Sequence, residues 1–452
     1  MLRIAFLVTR ECHLRRALGK MSQQLRHAAA TRDPLPDVDS AVAAFPGPPE
    51  FPQAATAARF PEAAHDVMGF DDLLPEDARA VRRRVREFMA AEVAPKIAGY
   101  WERAEFPFEV LPELKKLNIG GLSVKYPGCS GLSTLGTGMV MAEMARVDAS
   151  LSTFVMVHAS LAMHTIELMG TEEQKQELLP KLSGLDLVGC WGLTEPDHGS
   201  DAAKLSTTAR AVEGGWVLNG RKRWIGNGTF ADVAVIWATN ADNGEINAFI
   251  VRKGTPGFRT TKIENKISLR CVQNANIHME DVFVSEAARL PGVTSARDTA
   301  KVLSTSRITV AWQPVGIAMG AYDVCMRYVG QREQFGSPLA AFQLVQEKLS
   351  RMLANIQAMT LMTWRLSELC DSGRSTTGMA SLVKSWNTLR CRETVALARE
   401  LLGGNGILSE FHVAKAFCDI EAIYTYEGTY DINSLVTARE TTGISAIRAP
   451  KK

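Results

Sequence analysis

The spacing of apolar residues changes twice along the chain, and this change constrains the fold more than any other feature. Residues 70–189 carry apolar side chains three and four positions apart, as in Val81 and Val85, which is typical of amphipathic helices. Residues 190–301 instead contain short β-prone runs such as ADVAVIWAT, and the helical spacing returns from residue 302. The order helices, strands, helices predicts an α+β protein, with two helical domains packed as one bundle beside a small β domain.

Local signals predict where some of these elements begin, turn and end. Thr171 opens the segment TEEQKQELLPKL and Gln174 follows three residues later, a capping box that starts a helix. Asn219 and Gly220 tolerate the positive φ angles of a tight turn, which predicts a β-hairpin there. After residue 302 an amphipathic helix is predicted from an apolar stripe of Leu349, Met352, Leu353, Ile356 and Met359. The helical run is predicted to break at a turn at Gly403 and Gly404.

The N-terminal residues differ in composition from the three domains predicted at 70–189, 190–301 and 302–452. Residues 1–30 are rich in Arg and contain one acid, which is typical of an organelle transit peptide, here for mitochondria, or of a disordered tail. Residues 31–69 are rich in Ala and Pro, which predicts a linker.

Charge, hydropathy and cysteine usage exclude several classes of protein. The net charge of +2 gives no electrostatic footprint for nucleic acid, and no uninterrupted apolar run approaches the roughly 20 residues of a membrane span. The 8 Cys residues are scattered without a Cys-x-x-Cys pair, so neither a zinc site nor a disulfide scaffold is expected. We therefore expect no metal, no nucleic acid and no membrane span.

Five motifs occur together in one order. They are LTEPDHGSD (193–201), RWIGNG (223–228), REQFG (332–336), LLGGNGI (401–407) and TYEGTYDI (425–432). On these motifs the chain resembles the acyl-CoA dehydrogenase and oxidase family, and within it the plant-type short-chain acyl-CoA oxidases, with glutaryl-CoA dehydrogenases as near relatives. The resemblance implies the family fold, FAD as cofactor, an acyl-CoA substrate, a homotetramer or homodimer and, for the oxidase branch, a peroxisomal location.

The lone acid in YEGT, Glu427, is either an ordinary loop residue or a base held against a substrate. The family reaction removes a proton from the carbon beside a thioester and a hydride from the next carbon. A carboxylate is a poor base in water, but desolvation disfavours its charged form and raises its basicity. The resemblance therefore implies that Glu427 is the catalytic base and that Gly428 leaves room for the thioester.

The resemblance also implies roles for residues in the other motifs. Arg332 and Phe335 match residues that reach the flavin diphosphate of a neighbouring subunit, and a guanidinium suits this because it meets phosphate with two parallel hydrogen bonds. Arg307 matches an arginine that orients the base loop. The implied substrate contacts are Ser200, Ser304, Arg307 and Gly428. The implied flavin contacts are Trp191, Leu193, Thr194, Ser200, Trp224, Gly226, Arg332, Phe335, Gln343, Gly403, Gly404, Thr429 and Asp431.

Two positions depart from many family members. Gly226 stands where many dehydrogenases have Thr, and we hypothesise that it opens a small space through which oxygen reaches reduced flavin. Ser152 stands where glutaryl-CoA dehydrogenases have an Arg that pairs with a second carboxylate. Because an unpaired buried carboxylate is costly, Ser152 predicts monocarboxylic acyl chains.

These features favour a short-chain acyl-CoA oxidase that forms trans-2-enoyl-CoA and hydrogen peroxide in fatty acid β-oxidation. An alternative is a dehydrogenase of the same fold that passes electrons to an electron-transfer flavoprotein. A remote alternative is a non-catalytic, flavin-bearing DNA-binding protein, against which the presence of Glu427 and the near-neutral charge both argue. A nitroalkane oxidase-like enzyme is disfavoured because an Asp base would be expected at position 427.

Overall fold

The computed structural model describes residues 53–445, so the predicted targeting segment 1–30 lies outside the described residues. Of the predicted linker, residues 53–69 are described and lie against the helical bundle. Ala57 N donates to Glu410 O at 2.8 Å, and Ala64 N donates to Asp323 Oδ1 at 2.7 Å.

The N-terminal domain is helical, as the apolar spacing predicts. Its α-helices are α1 (Glu76–Phe88), α2 (Ile97–Arg103), α3 (Leu111–Lys116), α4 (Thr134–Val147), α5 (Ala149–Met156), α6 (His164–Met169) and α7 (Glu172–Ser183). The predicted capping box at the start of α7 is confirmed. Gln174 N donates to Thr171 Oγ1 at 3.2 Å, and Thr171 N donates to Gln174 Oε1 at 2.8 Å.

A π-helical segment, Val157–Met163, joins α5 to α6 and makes one long helix of them. By length and composition the stretch Ala149–Met169 could cross a membrane, although the sequence predicts no such run because polar residues interrupt it. Inside the protein, 94% of its most apolar window is buried. This burial gives the helix the position of a core element of the bundle.

The β domain consists of one seven-stranded sheet and its own apolar core. Its strands are β1 (Gly189–Gly192), β2 (Thr208–Val212), β3 (Gly215–Ile225), β4 (Val233–Asn240), β5 (Ile246–Arg252), β6 (Phe258–Lys262) and β7 (Ala275–Ser285). Strand β4 pairs in parallel with β1 and β2 and antiparallel with β5, whereas β3 lies antiparallel between β2 and β7. The predicted run ADVAVIWAT therefore forms most of strand β4, and β5 follows it in the sequence INAFIVRKG.

The hairpin turn predicted at Asn219 and Gly220 is wrong. Both residues lie inside β3, at a register irregularity where β3 pairs with β7. A Cβ atom on Gly220 would lie 2.7 Å from the Thr207 Cα, so glycine is needed for close backbone approach. The Asn219 amide pairs with Asp281, donating to its Oδ1 at 3.0 Å and accepting from its backbone N at 2.9 Å.

The C-terminal domain is built on three long helices and two shorter ones. They are α8 (Arg297–Gln331), α9 (Gln343–Asp371), α10 (Thr377–Leu401), α11 (Val413–Thr425) and α12 (Tyr430–Thr442), with a small hairpin of β8 (Glu333–Gln334) and β9 (Ser337–Pro338) after α8. The predicted stripe on α9 is confirmed, with Leu353 half-buried and its other four members buried. Helix α10 ends at Leu401, just before the predicted turn.

Helix α8 joins the two helical domains into one core by packing on α4 and α10. Gly316 and Gly320 allow the close approach to α4, because a Cβ on either glycine would lie within 2.1 Å of a backbone oxygen of that helix. The resulting bundle supports α8 along most of its length. Arg307 lies about a third of the way along this helix, and Arg332 lies just past its end.

Candidate active site

The predicted base lies in a tight loop, residues 426–429, between α11 and α12; we call it the base loop. Glu427 has φ +54° and Gly428 has φ +83°, both in the left-handed region. For a residue other than glycine this conformation is uncommon and costs about 1–2 kcal/mol. Such strain persists only where surrounding contacts hold the backbone, and it is frequent at functional sites.

The Glu427 side chain is half-buried beside the start of α8. Ser306 Oγ donates to Glu427 Oε2 at 3.1 Å, and Arg307 Nε donates to the Glu427 backbone O at 3.2 Å. Burial raises the pKa of Glu427 above its usual value, while Arg307, the Ser306 hydrogen bond and Lys384 oppose the rise. The carboxylate therefore gains basicity by desolvation, as the sequence predicts for a base.

Two further donors hold the base loop, and sequence reasoning missed both. Lys384 Nζ, buried on α10, donates to Gly428 O at 2.8 Å and to Tyr424 O at 3.3 Å. Asn433 Nδ2, buried on α12, donates to Gly428 O at 2.7 Å. A lysine among apolar and small residues in MASLVKSW was the sequence signal that could have identified Lys384.

The Tyr426 side chain anchors the base loop to α5 and α8. Its hydroxyl donates to Gln313 Oε1 at 2.5 Å and lies 3.3 Å from Thr153 Oγ1. Gln313 Nε2 in turn donates to Ser152 Oγ at 3.1 Å and to Thr153 Oγ1 at 3.2 Å. Burial raises the pKa of Tyr426, so the phenol is neutral and serves as a hydrogen-bonding anchor.

The predicted flavin contacts of the β domain lie where β1 ends beside β3. Trp191 is buried and donates from Nε1 to Thr165 Oγ1 at 3.0 Å. Lys222 Nζ donates to Leu193 O at 3.1 Å, and Arg223 N donates to Thr194 O at 2.8 Å. These bonds hold the Leu193–Thr194 backbone against the end of β3.

Trp224, at the end of β3, faces outward. Gly226, two residues later, faces the segment between α5 and α6. Trp224 has φ +64° and is 52% exposed, an unusual position for an indole that would otherwise be core. A Cβ on Gly226 would lie 3.1 Å from Val157 Cγ2. Val157 therefore packs against Gly226 on this side, and the opening for oxygen stays a prediction.

One helix connects this part of the β domain to the base loop. Val157 contacts Gly226, and Thr153, four residues earlier, contacts Tyr426. Four residues correspond to about 6 Å along a helix, or roughly one turn. Gly226 and the base loop therefore lie beside neighbouring turns of the same helix, which is the proximity needed between an acceptor and a base.

A second group of predicted flavin contacts lies far from the base loop; we call Arg332, Phe335, Gln343, Gly403 and Gly404 the peripheral set. Arg332 follows α8 and lies 25 residues, or about 38 Å of helix, from Arg307. Phe335 is 96% exposed and Gln343 is exposed at the start of α9. Tyr328, one turn before Arg332, donates to Leu402 O at 3.3 Å. Gly403 and Gly404, which follow Leu402, therefore lie at the same end of α8 as Arg332.

The remaining predicted site residues are less directly connected to Glu427. Ser200 is exposed in the loop after β1, and Ser304 Oγ donates to Lys301 O at 2.9 Å. It is Ser306 that contacts the base. Thr429 caps α12 by accepting from Ile432 N at 3.2 Å, and Asp431 is exposed in the first turn of that helix.

Three family models match successive parts of the chain. They describe the N-terminal domain (residues 75–185), the middle domain (190–282) and the C-terminal domain (296–442) of acyl-CoA dehydrogenases. The chain belongs to the acyl-CoA dehydrogenase family. The predicted fold class is thereby confirmed.

Individual family members are similar over most of their length. The bovine (Bos taurus) mitochondrial short-chain specific acyl-CoA dehydrogenase is 33% identical over 371 residues, 81% of this chain and 90% of that protein. Subunit CarC of the caffeyl-CoA reductase-Etf complex from Acetobacterium woodii is 34% identical, covering 80% of this chain and 97% of that protein. A glutaryl-CoA dehydrogenase from Mycobacterium smegmatis, in complex with FADH2, has a TM-score of 0.82 at 33% identity and covers 87% of this chain and all of that one. None of these three is named an oxidase.

Proposed function

We propose that this protein is an FAD-dependent acyl-CoA dehydrogenase in which Glu427 is the catalytic base. The observation that carries the proposal is the environment of Glu427. Its carboxylate has a raised pKa, its backbone is held in a strained turn, and a single helix links that turn to Gly226. A base and an acceptor side by side are what α,β-desaturation of a thioester requires.

The end of β1 and β3 fits a flavin ring. Asn227 Oδ1 is buried there without a hydrogen-bond partner, and the Trp224 indole is half-exposed beside it. Both are groups that a bound ring would cover or satisfy. The residues that would hold FAD are Trp191, Leu193, Thr194, Ser200, Trp224, Gly226, Thr429 and Asp431, with the peripheral set supplied by a second copy. When bound, FAD supplies the hydride acceptor.

The protein residues have distinct tasks in the proton transfer. Ser306 occupies Oε2 of Glu427, so Oε1 is the atom available to accept the α proton of the acyl chain. Arg307 holds the Glu427 carbonyl and keeps the carboxylate turned towards the site. Desolvation supplies basicity that a carboxylate in water lacks. The proton ends on Glu427, the hydride leaves from the β carbon, and trans-2-enoyl-CoA is released.

We infer that an electron-transfer flavoprotein, rather than oxygen, receives the electrons. Val157 packs against Gly226, where a Cβ would lie 3.1 Å from Val157 Cγ2, and so narrows the space that oxygen would use. The relatives support the same conclusion, since the bovine protein is named a dehydrogenase and CarC a subunit of an Etf complex. The oxidase prediction made from sequence motifs thus gives way to the dehydrogenase alternative.

Short, monocarboxylic acyl chains are the proposed substrates. Ser152 is fully buried and donates from Oγ to Met141 O at 3.1 Å, while Gln313 donates to it. This arrangement offers a neutral network and no cation at the position where a distal carboxylate would need one. Butyryl-CoA or hexanoyl-CoA should be turned over in strong preference to glutaryl-CoA, and comparable rates would contradict this assignment.

The active enzyme is proposed to be a homotetramer or homodimer. Arg332 lies about 38 Å of helix away from Arg307, which contacts the base loop of its own chain, so we assign the peripheral set to the site of a neighbouring copy. Phe335, almost fully exposed next to Arg332, is an apolar group suited to such a contact. The compartment, mitochondrion or peroxisome, remains a proposal from residues 1–30 and the oxidase resemblance.

The deciding experiment follows the visible spectrum of the purified holoprotein. Anaerobic addition of butyryl-CoA should bleach the flavin absorbance. The reduced sample is then divided between air and an electron-transfer flavoprotein with a terminal dye. Fast reoxidation only by the flavoprotein, with little peroxide, is expected. Fast reoxidation by air with stoichiometric peroxide would overturn the dehydrogenase assignment, and failure to bleach with any acyl-CoA would overturn the function itself.

A further inference from the structure

The base loop is held by donors that approach its carbonyl oxygens from several helices. Arg307 reaches the Glu427 O from α8, and Asn433 reaches the Gly428 O from α12. Lys384 approaches from α10 and is different, because it bonds on both sides of the base: to Tyr424 O before it and to Gly428 O after it. The other buried lysines of the part of the chain that the structure describes, Lys222 and Lys415, form their hydrogen bonds elsewhere.

Lys384 is also unusual in its surroundings. It is fully buried, yet its recorded hydrogen bonds go to carbonyl oxygens, whereas the buried Lys222 and Lys415 each pair directly with a carboxylate, Glu195 and Asp148. A buried ammonium without a directly bonded counter-ion is costly. The carboxylate of Glu427 is the nearby acid that stabilises its charge through space.

We propose that Lys384 is a positioning residue for the catalytic base, which fixes the strained turn and favours the ionised form of Glu427. This inference rests on the proposed role of Glu427. Two parts follow from the geometry. The hydrogen bonds to Tyr424 O and Gly428 O determine where the carboxylate points, and the ammonium charge determines how readily the carboxylate gives up its proton before turnover.

The charges around Glu427 determine the direction in which loss of Lys384 should move the pKa of the carboxyl group. The charged groups that face it are Arg307 from α8 and Lys384 from α10, while Ser306 and Asn433 are neutral and Tyr426 is an uncharged phenol. Both cations lower a pKa that burial has raised. Burial lowers the pKa of Lys384 to about 7, so Lys384 carries its positive charge on the acid side of neutrality.

The proposal is tested with Lys384→Met, which keeps the length of the side chain but removes the charge and the donors. The measurement is kcat of the holoenzyme against pH at saturating butyryl-CoA. Without the ammonium, Glu427 should stay protonated to higher pH, so the acid limb should move up by about one pH unit. Lys384→Gln, a neutral donor, should show the same displacement but a higher plateau, because it can hold part of the turn. Lys384→Arg should restore the acid limb.

A matched control separates this effect from the loss of stability that follows when any lysine bonded to carbonyl oxygens is removed. Lys266 Nζ also donates to carbonyl oxygens, those of Leu269 at 2.9 Å and Val272 at 2.7 Å, and burial lowers its pKa to about 8. Lys266→Met should lower the thermal midpoint without moving the acid limb. If Lys384→Met behaves like this control, with a lower melting temperature and an unmoved acid limb, the proposal is overturned.

A second measurement does not depend on the electron acceptor. Exchange of the acyl-CoA α proton into D2O, followed by NMR, reports proton transfer at Glu427 alone. Lys384→Met should shift the pH dependence of this exchange in the same direction as that of kcat, and an unshifted exchange profile counts against the proposal. Retention of exchange and turnover by Glu427→Gln would instead show that the proposed base is wrong, which is a different failure.

Discussion

The base loop and the peripheral set differ in how completely one chain builds them. The base loop is surrounded by partners from the same chain, so that Ser306, Arg307, Lys384 and Asn433 all bond to it. The peripheral set is largely exposed, and a Cβ on Gly403 or Gly404 would meet no atom within 4 Å. The difference supports our proposal that proton chemistry is complete within a protomer, whereas cofactor binding draws on a second one.

The largest effect is expected at the base itself. Glu427→Gln keeps the shape of the side chain but cannot accept a proton, so turnover should fall by about 10²–10⁴-fold. The flavin spectrum should be unchanged, because the peripheral set and the β domain are not altered.

Glu421→Gln is the matched control for this change. Glu421 lies on α11, close in sequence, and pairs at the surface with Arg392 Nε at 2.7 Å. Exposed ion pairs of this kind contribute little. Turnover by Glu427→Gln within twofold of the unmodified protein would show that the base loop is not the catalytic element.

A mixing experiment tests the other half of the comparison. Arg332→Gln chains and Glu427→Gln chains are each expected to be inactive or weakly active alone. If Arg332 serves the site of a neighbour, a mixed dimer has one site with both defects and one site with neither, so random mixing should restore about a quarter of the native sites.

The control for mixing is a change that must act within the same site. Arg307→Met mixed with Glu427→Gln should restore nothing if both residues serve the site of their own chain, because every site then carries one of the two changes. Co-expression with two affinity tags gives the mixed species directly. Absence of activity in the Arg332→Gln and Glu427→Gln mixture would place the peripheral set in the service of its own chain.

The smallest predicted effect concerns stability and pH. Because burial raises the pKa of Glu427, the folded protein keeps this proton at pH values where the unfolded chain has released it. The associated stability is present at acid pH and is lost as the pH rises through the folded pKa. Urea unfolding in excess FAD should therefore show that the free energy of unfolding of Glu427→Gln rises relative to that of the unmodified protein as the pH increases. The gain should be about 1.4 kcal/mol for each unit by which the pKa is raised. A difference that stays constant with pH would contradict it.

Sequence patterns predicted the parts of the molecule that depend on local chemistry. The capping box at Thr171 and the stripe on α9 are confirmed because caps and helix faces are determined by residues a few positions apart. Asn219 and Gly220 were misassigned because the decisive contact, the close approach of Thr207, comes from another strand.

In the candidate active site, too, local motifs could be interpreted from the sequence, whereas contacts from distant segments could not. YEGT in its motif context pointed to Glu427, which we propose as the base, but the donors that hold its turn come from α8, α10 and α12. Lys384 lies 43 positions before the base, outside the five motifs. Nothing in the local sequence at Gly226 indicated its neighbour Val157, which belongs to a helix about 70 residues earlier in sequence.

The long helix Ala149–Met169 has a consequence for anyone who wishes to change the substrate range. Its Thr153 contacts the tyrosine that anchors the base loop, and its Val157 contacts Gly226, one turn away. A substitution that reshapes this helix to accept a bulkier chain would displace both reacting partners together. Libraries aimed at chain length should therefore leave positions 153 and 157 untouched, or vary them only alongside compensating changes in their neighbours.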